Sequence, residues 1–364
     1  MEMKERVLAA MSGGVDSSVA AYILKECGYE CIGAMMKLYD ADDTGQGRGC
    51  CGISDADDAR NVAAALRIPF YLFNFRDVFK EEVIERFVRL YGECRTPNPC
   101  IDCNRFIKFS HLIKKADELG AKYIATGHYA RIVRMHGRYV LAKGHDESKD
   151  QSYFLYAMSQ YELSRTLFPL SFLAKEEVRK LALEQGLVNA KKRESQDICF
   201  VPGGDYAAFI REYTRAEPLP GNFVDEKGHV MGKHRGLIHY TVGQRKGLGI
   251  SHPNPLFVLS LNPSENTVTV GEPEKLFSRE CTASEINFFP FDKMQGKERC
   301  EAKIRYAHKP APATIWQTGD DSVHVEFDEP QRAITPGQAV VFYNDCICLG
   351  GGTINRVPGG SSSP

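Results

Sequence analysis

The chain has 364 residues, 43% of them hydrophobic and 26% charged, with a net charge of −1. That length exceeds one ordinary core, so two or three domains are expected, and the balanced charge gives no sign of nucleic-acid binding beyond what local clusters of basic residues allow. No apolar run reaches the roughly 20 residues of a membrane-spanning helix, and the start MEMKERVLAA lacks a basic-then-apolar leader pattern, so the chain reads as cytoplasmic with no membrane partner.

From residue 6 to about 130 the pattern alternates between short apolar runs and amphipathic stretches. RVLAAM predicts a strand, and SSVAAYILKECG predicts a helix closed by Gly28. CIGAMMKL and FYLFNF predict further strands. SDADDARNVAAALRI predicts a helix capped by Ser54, with acidic residues in its first turns. DVFKEEVIERFVRLYGECR predicts a long amphipathic helix, and RFIKFSHLIKKADELG another before the strand KYIATG. Strands alternating with helices predict an α/β fold, a doubly wound parallel sheet covered on both faces. Ligands of such sheets bind beyond the carboxyl ends of the strands, near the switch point.

RIVRMHGRYVLAKG then predicts a hairpin, and QSYFLYAMSQYEL and AKEEVRKLALEQG predict two helices. From about residue 205 the chain is rich in Gly, Pro and short β runs, which suggests a small central α+β domain. From about 278 only strands are legible, as expected of a small C-terminal β-barrel. The tail 358–364, GGSSSP with its neighbours, has a low-complexity composition that predicts disorder.

The 12 cysteines would not form a disulfide framework in a reducing compartment. Cys27, Cys31, Cys281, Cys300, Cys346 and Cys348 sit among apolar residues and read as small buried hydrophobes. Cys94, Cys100, Cys103 and Cys199 lie in polar or proline-bearing stretches, where reactive groups tend to be held. Cys50 and Cys51 suggest half a metal site, but no second pair at zinc spacing accompanies them.

The first strand ends in MSGGVDSS, Met11 to Ser18. Glycines permit a sharp turn and close approach of a ligand, and the following helix offers unpaired N–H groups and a positive dipole end. Ser12, Ser17 and Ser18 add hydroxyls, while Asp16 suits an anion site if it holds a magnesium ion against phosphates. The lysine of a Walker A loop is missing. A plain strand–helix turn with Ser and Asp as caps is the alternative reading. The whole string resembles the PP-loop of the ATP pyrophosphatase families, which split ATP between the α and β phosphates. A member that delivers sulfur needs reactive thiolates; Cys103 precedes Asn104 and Arg105 at a predicted helix start, where the dipole and the arginine would favour its thiolate.

SGGVDSS, TPNPCIDCN, ATGHY, KDQSYFL, ICFV, GQRKGLGI, TPGQAVVFYN and CLGGG occur in that order. Together they resemble the bacterial tRNA-specific 2-thiouridylase family over essentially the whole chain to about residue 357. The resemblance implies a PP-loop ATP-binding catalytic domain over 1–204, a central tRNA-binding domain over 205–277 and a C-terminal tRNA-binding barrel over 278–357. It implies ATP on Ala10, Met11, Ser12, Gly13, Gly14, Val15, Asp16 and Ser17, with Met36 and Gly127 near adenine and ribose.

On the same resemblance ATP would adenylate C2 of the wobble uridine in the tRNAs for Lys, Glu and Gln. Cys199 would carry a persulfide, supplied by a cysteine desulfurase or sulfur-relay protein, and Cys103 would free its sulfur. AMP and pyrophosphate would leave, and a Cys103–Cys199 disulfide would be an oxidised resting form. Asn98, Pro99 and Cys100 would line the target base; His128, Lys149, Asp150 and Gln151 would face the anticodon stem-loop. Arg305, Tyr306 and Gln338 would hold tRNA from the barrel, and the loop carrying Arg235, Arg245 and Lys246 would track its backbone or remain a solvated loop.

Some members of the family carry Asp where this chain has Cys100. Cys100, Cys103 and Cys199 could therefore hold a [4Fe–4S] cluster that presents sulfide. A more remote alternative is a PP-loop amide ligase, which would not depend on Cys199.

Overall fold

The computed structural model describes residues 4–39, 53–192 and 198–357. Cys50 and Cys51 lie outside them. The described chain divides into two units, one of residues up to Ile84 with Pro99–Asp205 and Cys346–Cys348, the other of Glu85–Asn98, Tyr206–Asp345 and the chain from Leu349.

The first unit is built on strands β1 (Arg6–Ala10), β2 (Glu30–Lys37), β3 (Phe70–Asn74), β4 (Tyr123–Ala125) and β7 (Thr166–Leu167). They run in the order β3-β2-β1-β4-β7, all parallel, with Ala9 opposite both Gly33 and Ala125. Parallel strands are buried on both faces, which explains the continuous apolar runs of β1 and β2. Between β1 and β4 the strand order reverses. The loops leaving these two strands therefore open the crevice where α/β sheets take their ligands.

Helix α1 (Val15–Glu26) follows β1, and Val19, Ala20 and Leu24 bury its inner face in the sheet core. It ends as the sequence predicts: Gly28 has φ of +89°, and Tyr29 N donates to Leu24 O at 3.1 Å. Helix α2 (Ile53–Ala65) packs on the same core, with Ser54 as its second residue rather than its cap. The run predicted from DVFKEEVIERF is helical but not uniformly α: α3 (Arg76–Phe79) passes through a π segment, Lys80–Glu85, into α4 (Arg86–Gly92). The predicted hairpin is β5 (Ala130–Met135) with β6 (Arg138–Lys143), and Ile347 pairs with Ala142.

QSYFLYAMSQYEL does not form one helix. A 3₁₀ turn, Ser152–Phe154, is followed by a short helix at Gln160–Ser164. Tyr153, Leu155, Tyr156 and Met158 are all buried, so the apolar residues face inward on every side instead of forming one helical stripe. Ser159 and Glu162 form a capping box that starts the later helix, a signal present in the sequence as S-x-x-E. The helix predicted from AKEEVRKLALE forms at Lys175–Glu184.

In the second unit, strands Gly221–Val224, Val230–His234, Phe257–Asn262 and Thr267–Gly271 form a four-stranded sheet around Phe223, Val258 and Val268. The remaining strands, from Phe277 to Arg356, form a barrel in the order Phe277–Phe288, Ser322–Arg332, Ala311–Gly319, Lys297–Lys303, Ala339–Asn344, Ile347–Arg356, which is not their order in the chain. The strand Phe277–Phe288 pairs on one side with Ser322–Arg332 and on the other with Ile347–Arg356, which closes the barrel. Full closure removes the exposed edges of an all-β unit.

Candidate functional site

The loop after β1 is tied up by its own hydroxyls. Ser12 N donates to Ser17 Oγ at 3.1 Å, and the Ser17 and Ser18 hydroxyls each donate to Gly14 O at 3.0 Å. Gly13 takes φ of +76°, and a Cβ there would run into the backbone oxygen of Asp55. Gly127, just past β4, is as constrained: a Cβ there would stand 2.8 Å from Asp16 C and from Ser17 N. Gly13 lets the loop after β1 approach the backbone of α2 at Asp55, and Gly127 lets the loop after β4 approach the start of α1. That leaves the first N–H groups of α1 at the mouth of the crevice, where an anion is favoured. Ala10 ends β1 opposite Ala34, and Met11 N donates to Ala34 O at 2.7 Å. Met36 is half-buried near the end of β2, opposite Phe73.

Four remote side chains hold this loop and the start of α1, and no local pattern in the sequence marks them as its partners. Asn189 Nδ2 donates to Gly13 O at 2.9 Å and to Ser18 Oγ at 2.8 Å. Lys192 Nζ donates to Gly13 O at 3.3 Å and pairs with Asp55 and Asp58. Burial pushes the Lys192 pKa down, but its bonds to Asp55 and Asp58 outweigh that and raise it, so the ammonium stays charged. Lys175 Nζ donates to both Asp16 oxygens at 2.7 Å, and Tyr129 OH donates to Asp16 Oδ1 at 2.8 Å. Magnesium therefore does not fit Asp16 as placed, because both carboxylate oxygens already take charged or hydroxyl donors.

The cysteine region differs from the sequence reading. The helix begins at Pro99, not Asn104, and Cys103 opens a π segment, Cys103–His111, in its second turn. Cys103 is buried, and because it lies beyond the first turn it gains less from the helix end than a residue of that turn would. Arg105 lies over the Phe106 ring at 5.4 Å. Asn104 Nδ2 donates to Phe154 O at 3.0 Å, and its buried Oδ1 has no hydrogen-bond partner. Cys100 is exposed. Cys199 is half-buried in a turn closed by Val201 N donating to Ile198 O at 3.0 Å. The next residue, Phe200, anchors that turn edge-on against Phe79, with centroids 5.7 Å apart. Among the described residues no group of three or more His, Cys, Asp or Glu side chains is placed to hold a metal ion.

The other cysteines divide differently from the sequence reading. Cys31, Cys281, Cys300 and Cys348 are buried as expected, but Cys27 and Cys346 are exposed. Cys94, grouped with the reactive candidates, has its thiol pushed up to about 11 by burial, which keeps it protonated at neutral pH.

A family model described as "tRNA methyl transferase HUP domain" matches residues 5–203. A "PRC-barrel domain" and an "Aminomethyltransferase beta-barrel domain" of the same series match 207–272 and 278–354. A "tRNA-specific 2-thiouridylase MnmA" of Clostridioides difficile (strain 630) is 48% identical, over 98% of this chain and 99% of its own. Relatives of the same name from Clostridium kluyveri and Clostridium acetobutylicum are 47% and 50% identical, each over 97% of this chain and 100% of their own. The chain belongs to the tRNA-specific 2-thiouridylase family.

Against that family, the residues expected to touch tRNA divide into two groups. The first is committed to internal bonds. The Asp150 carboxylate is buried and accepts from Gly144 N, Ser152 N and Ser152 Oγ, so it shapes its turn and does not face outward. Gln151 Oε1 accepts from Tyr129 N at 3.1 Å. Gln338 Nε2 donates to Thr96 O at 2.8 Å, and Thr96 N donates to Pro336 O, so TPGQ braces the start of TPNP. Gly337, with φ of +90°, lies so close that a Cβ would stand 2.7 Å from Thr96 N. Arg305 Nη2 donates to Val242 O and Ala333 O at 3.2 Å and to Thr335 Oγ1. Of these four residues Asp150 is turned into its own turn, and the bonds of Gln151, Gln338 and Arg305 leave only part of their polar atoms open.

The second group is mixed in its exposure. Tyr306 is exposed, with Lys303 Nζ over its ring at 5.2 Å. Lys149 and Asn98 are half-buried and Pro99 is buried. His128 hydrogen-bonds Thr126 Oγ1 through Nδ1 at 2.6 Å and lies 5.9 and 6.0 Å from the Phe109 and Phe168 rings. Burial, and then the charge of Lys108, holds its pKa well below the ordinary imidazole value, so the ring is neutral and suited to stacking rather than to pairing with phosphate. In the second unit Arg245 and Lys246 are exposed on a loop that Gln244 braces from Thr241 N to Lys246 O and that buried Leu248 anchors.

Proposed function

We propose that the protein is a tRNA-uridine 2-sulfurtransferase of the cytoplasm. The observation that carries this reading is kinship of 48% identity across nearly the full length of the chain and its relative. The uridine O2 attacks the α-phosphorus of ATP and pyrophosphate leaves. The Cys103 thiolate attacks the Cys199 sulfur of a Cys199 persulfide, forming a Cys103–Cys199 disulfide and releasing hydrosulfide; the hydrosulfide adds at C2, AMP departs with the former O2, and a thiol reductant reopens the disulfide for the next turnover. The oxygen is a poor leaving group until it becomes a phosphate ester. The phosphate loop Ala10–Ser17 and the abutting Gly127 are the ATP end of this scheme, and the helix from Pro99 with the turn at Cys199 is the sulfur end.

The domains are taken as 1–204 for ATP and catalysis, 205–277 and 278–357 for tRNA. The partner is the anticodon stem-loop of tRNA, with Asn98, Pro99 and Cys100 at the base and Tyr306 and Lys149 on the backbone. A cysteine desulfurase or relay protein loads Cys199. The persulfide route is favoured over a [4Fe–4S] route because Cys100 is exposed and Cys103 is buried. Wobble nucleosides from a strain lacking the gene test the reading by mass. Loss of 2-thiouridine, restored by the intact gene, is expected; persistence of 2-thiouridine would sink it and leave the amide-ligase reading.

A further inference from the structure

The phosphate loop carries no lysine of its own, yet it carries a carboxylate, Asp16, in the first turn of α1. A lone carboxylate there would repel a polyphosphate brought to the same helix end. Lys175 resolves this conflict from 159 positions away. It is 6% exposed, and its ammonium donates to both Asp16 oxygens at 2.7 Å. It is the first residue of the helix Lys175–Glu184, whose start is fixed by Lys175 N donating to Asp146 Oδ2 at 3.0 Å and Ala174 N donating to Glu177 Oε2 at 2.7 Å. The bonds from Ser148 and from Lys175 N hold the Asp146 carboxyl below its usual range, so this anchor stays ionised. Tyr129 completes the arrangement: its OH donates to Asp16 and its ring lies 5.7 Å from the Lys175 ammonium. A buried, anchored cation at the mouth of an anion-binding helix costs desolvation that a neutral side chain would avoid. Its position gives that cost a purpose.

We propose that Lys175 supplies the positive charge that the phosphate loop lacks in its own sequence: paired with Asp16, it cancels the carboxylate at the start of α1 and sets the affinity for the polyphosphate of ATP. The inference rests on the ATP reading of the loop. A residue acting on phosphate charge changes binding in proportion to the phosphates of the ligand. A residue that only holds the fold together changes binding of every adenine ligand alike.

Equilibrium binding of ATP, AMP and adenosine to the full chain tests this, with Lys175→Met and Lys175→Arg beside the unaltered protein and melting temperatures as a check of folding. Lys175→Met is expected to weaken ATP at least about tenfold, AMP less, and adenosine by no more than about twofold, because it leaves Asp16 uncompensated beside the phosphates. Lys175→Arg keeps the charge and is expected to bind ATP within about threefold of the unaltered chain. Equal losses for ATP and adenosine, or an unchanged ATP affinity in a folded Lys175→Met, would overturn the proposal. If Lys175→Met does not fold, Lys175→Gln takes its place: a variant that loses ATP but not adenosine supports the proposal, and one that loses both equally overturns it. An unaltered chain that binds adenosine no better than ATP and neither measurably would instead overturn the ATP reading, and this inference with it.

Discussion

The phosphate loop and the cysteine helix, both in the first unit, are built on opposite plans. The loop is contiguous in sequence and is immobilised by partners that are not: Asn189 and Lys192 grip Gly13, Lys175 grips Asp16, and Gly127 abuts the start of α1. The sulfur chemistry proposed for Cys103 and Cys199 has no contiguous site. Cys103 lies buried in a π segment and Cys199 in a separate half-buried turn anchored by Phe200. ATP needs a fixed set of donors before it arrives, since preorganised dipoles cost nothing at the moment of reaction. A sulfur carrier must meet a donor protein and then a base, which two thiols on different elements permit.

The comparison breaks first if either thiol is dispensable. Cys103→Ser and Cys199→Ser are each expected to lower thiolation at least about a thousandfold while ATP affinity changes by less than about twofold, because residues acting as one chemical unit fail singly as badly as together. Nucleoside mass analysis and nucleotide binding on the same samples check this. Parallel loss of ATP binding would mean that the two regions are one site.

Gly127→Ala attacks the loop without touching a thiol. Its Cβ would be forced against Asp16 and Ser17 backbone at 2.8 Å, which should cost about 1–3 kcal/mol and raise the ATP KM several-fold. Denaturant unfolding and steady-state kinetics read the two effects. Asn189→Ala is milder: it deletes the donor to Gly13 O and Ser18 Oγ and should cost about 1–2 kcal/mol.

The smallest effect is in pH. The folded-state pKa of His128 lies well below the ordinary imidazole value, so its contribution to stability is complete above the unfolded-state value of about 6.5. It is lost as pH falls below that toward the folded-state pKa, because the unfolded chain binds the proton first. Thermal melts between pH 7 and 5 should therefore fall less steeply for His128→Gln than for the unaltered chain; equal slopes would show that the ring is not held neutral.

What was legible in the sequence follows the same division. The alternation of strands and helices, the turn at MSGGVDSS and the Gly28 helix end depend on neighbours in sequence, and periodicity and glycine spacing report them. The grips on Gly13 and Asp16 come from 159 to 179 positions away, and no local pattern marks a lysine as a partner rather than a surface charge. The helix start at Pro99 was masked by two prolines that suggested a loop, although Pro is well suited to a first helical turn. Cys27 and Cys346 were read as buried from apolar neighbours alone, but each is exposed, because apolar context does not say which side of the chain faces the core. Asp150 looked like an outward polar residue; its carboxylate is spent on three groups of its own turn, which only coordinates reveal.

The central claim, that ATP activation at the fixed loop and sulfur transfer through two thiols are successive steps on one base, is tested by stoichiometry. Purified protein, unmodified tRNA, ATP, a cysteine desulfurase with cysteine and a thiol reductant are incubated, and AMP, pyrophosphate and 2-thiouridine are counted together. The account predicts one AMP and one pyrophosphate per 2-thiouridine formed, with thiolation abolished in Cys199→Ser. Formation of 2-thiouridine without matching AMP, or undiminished thiolation in Cys199→Ser, would contradict it.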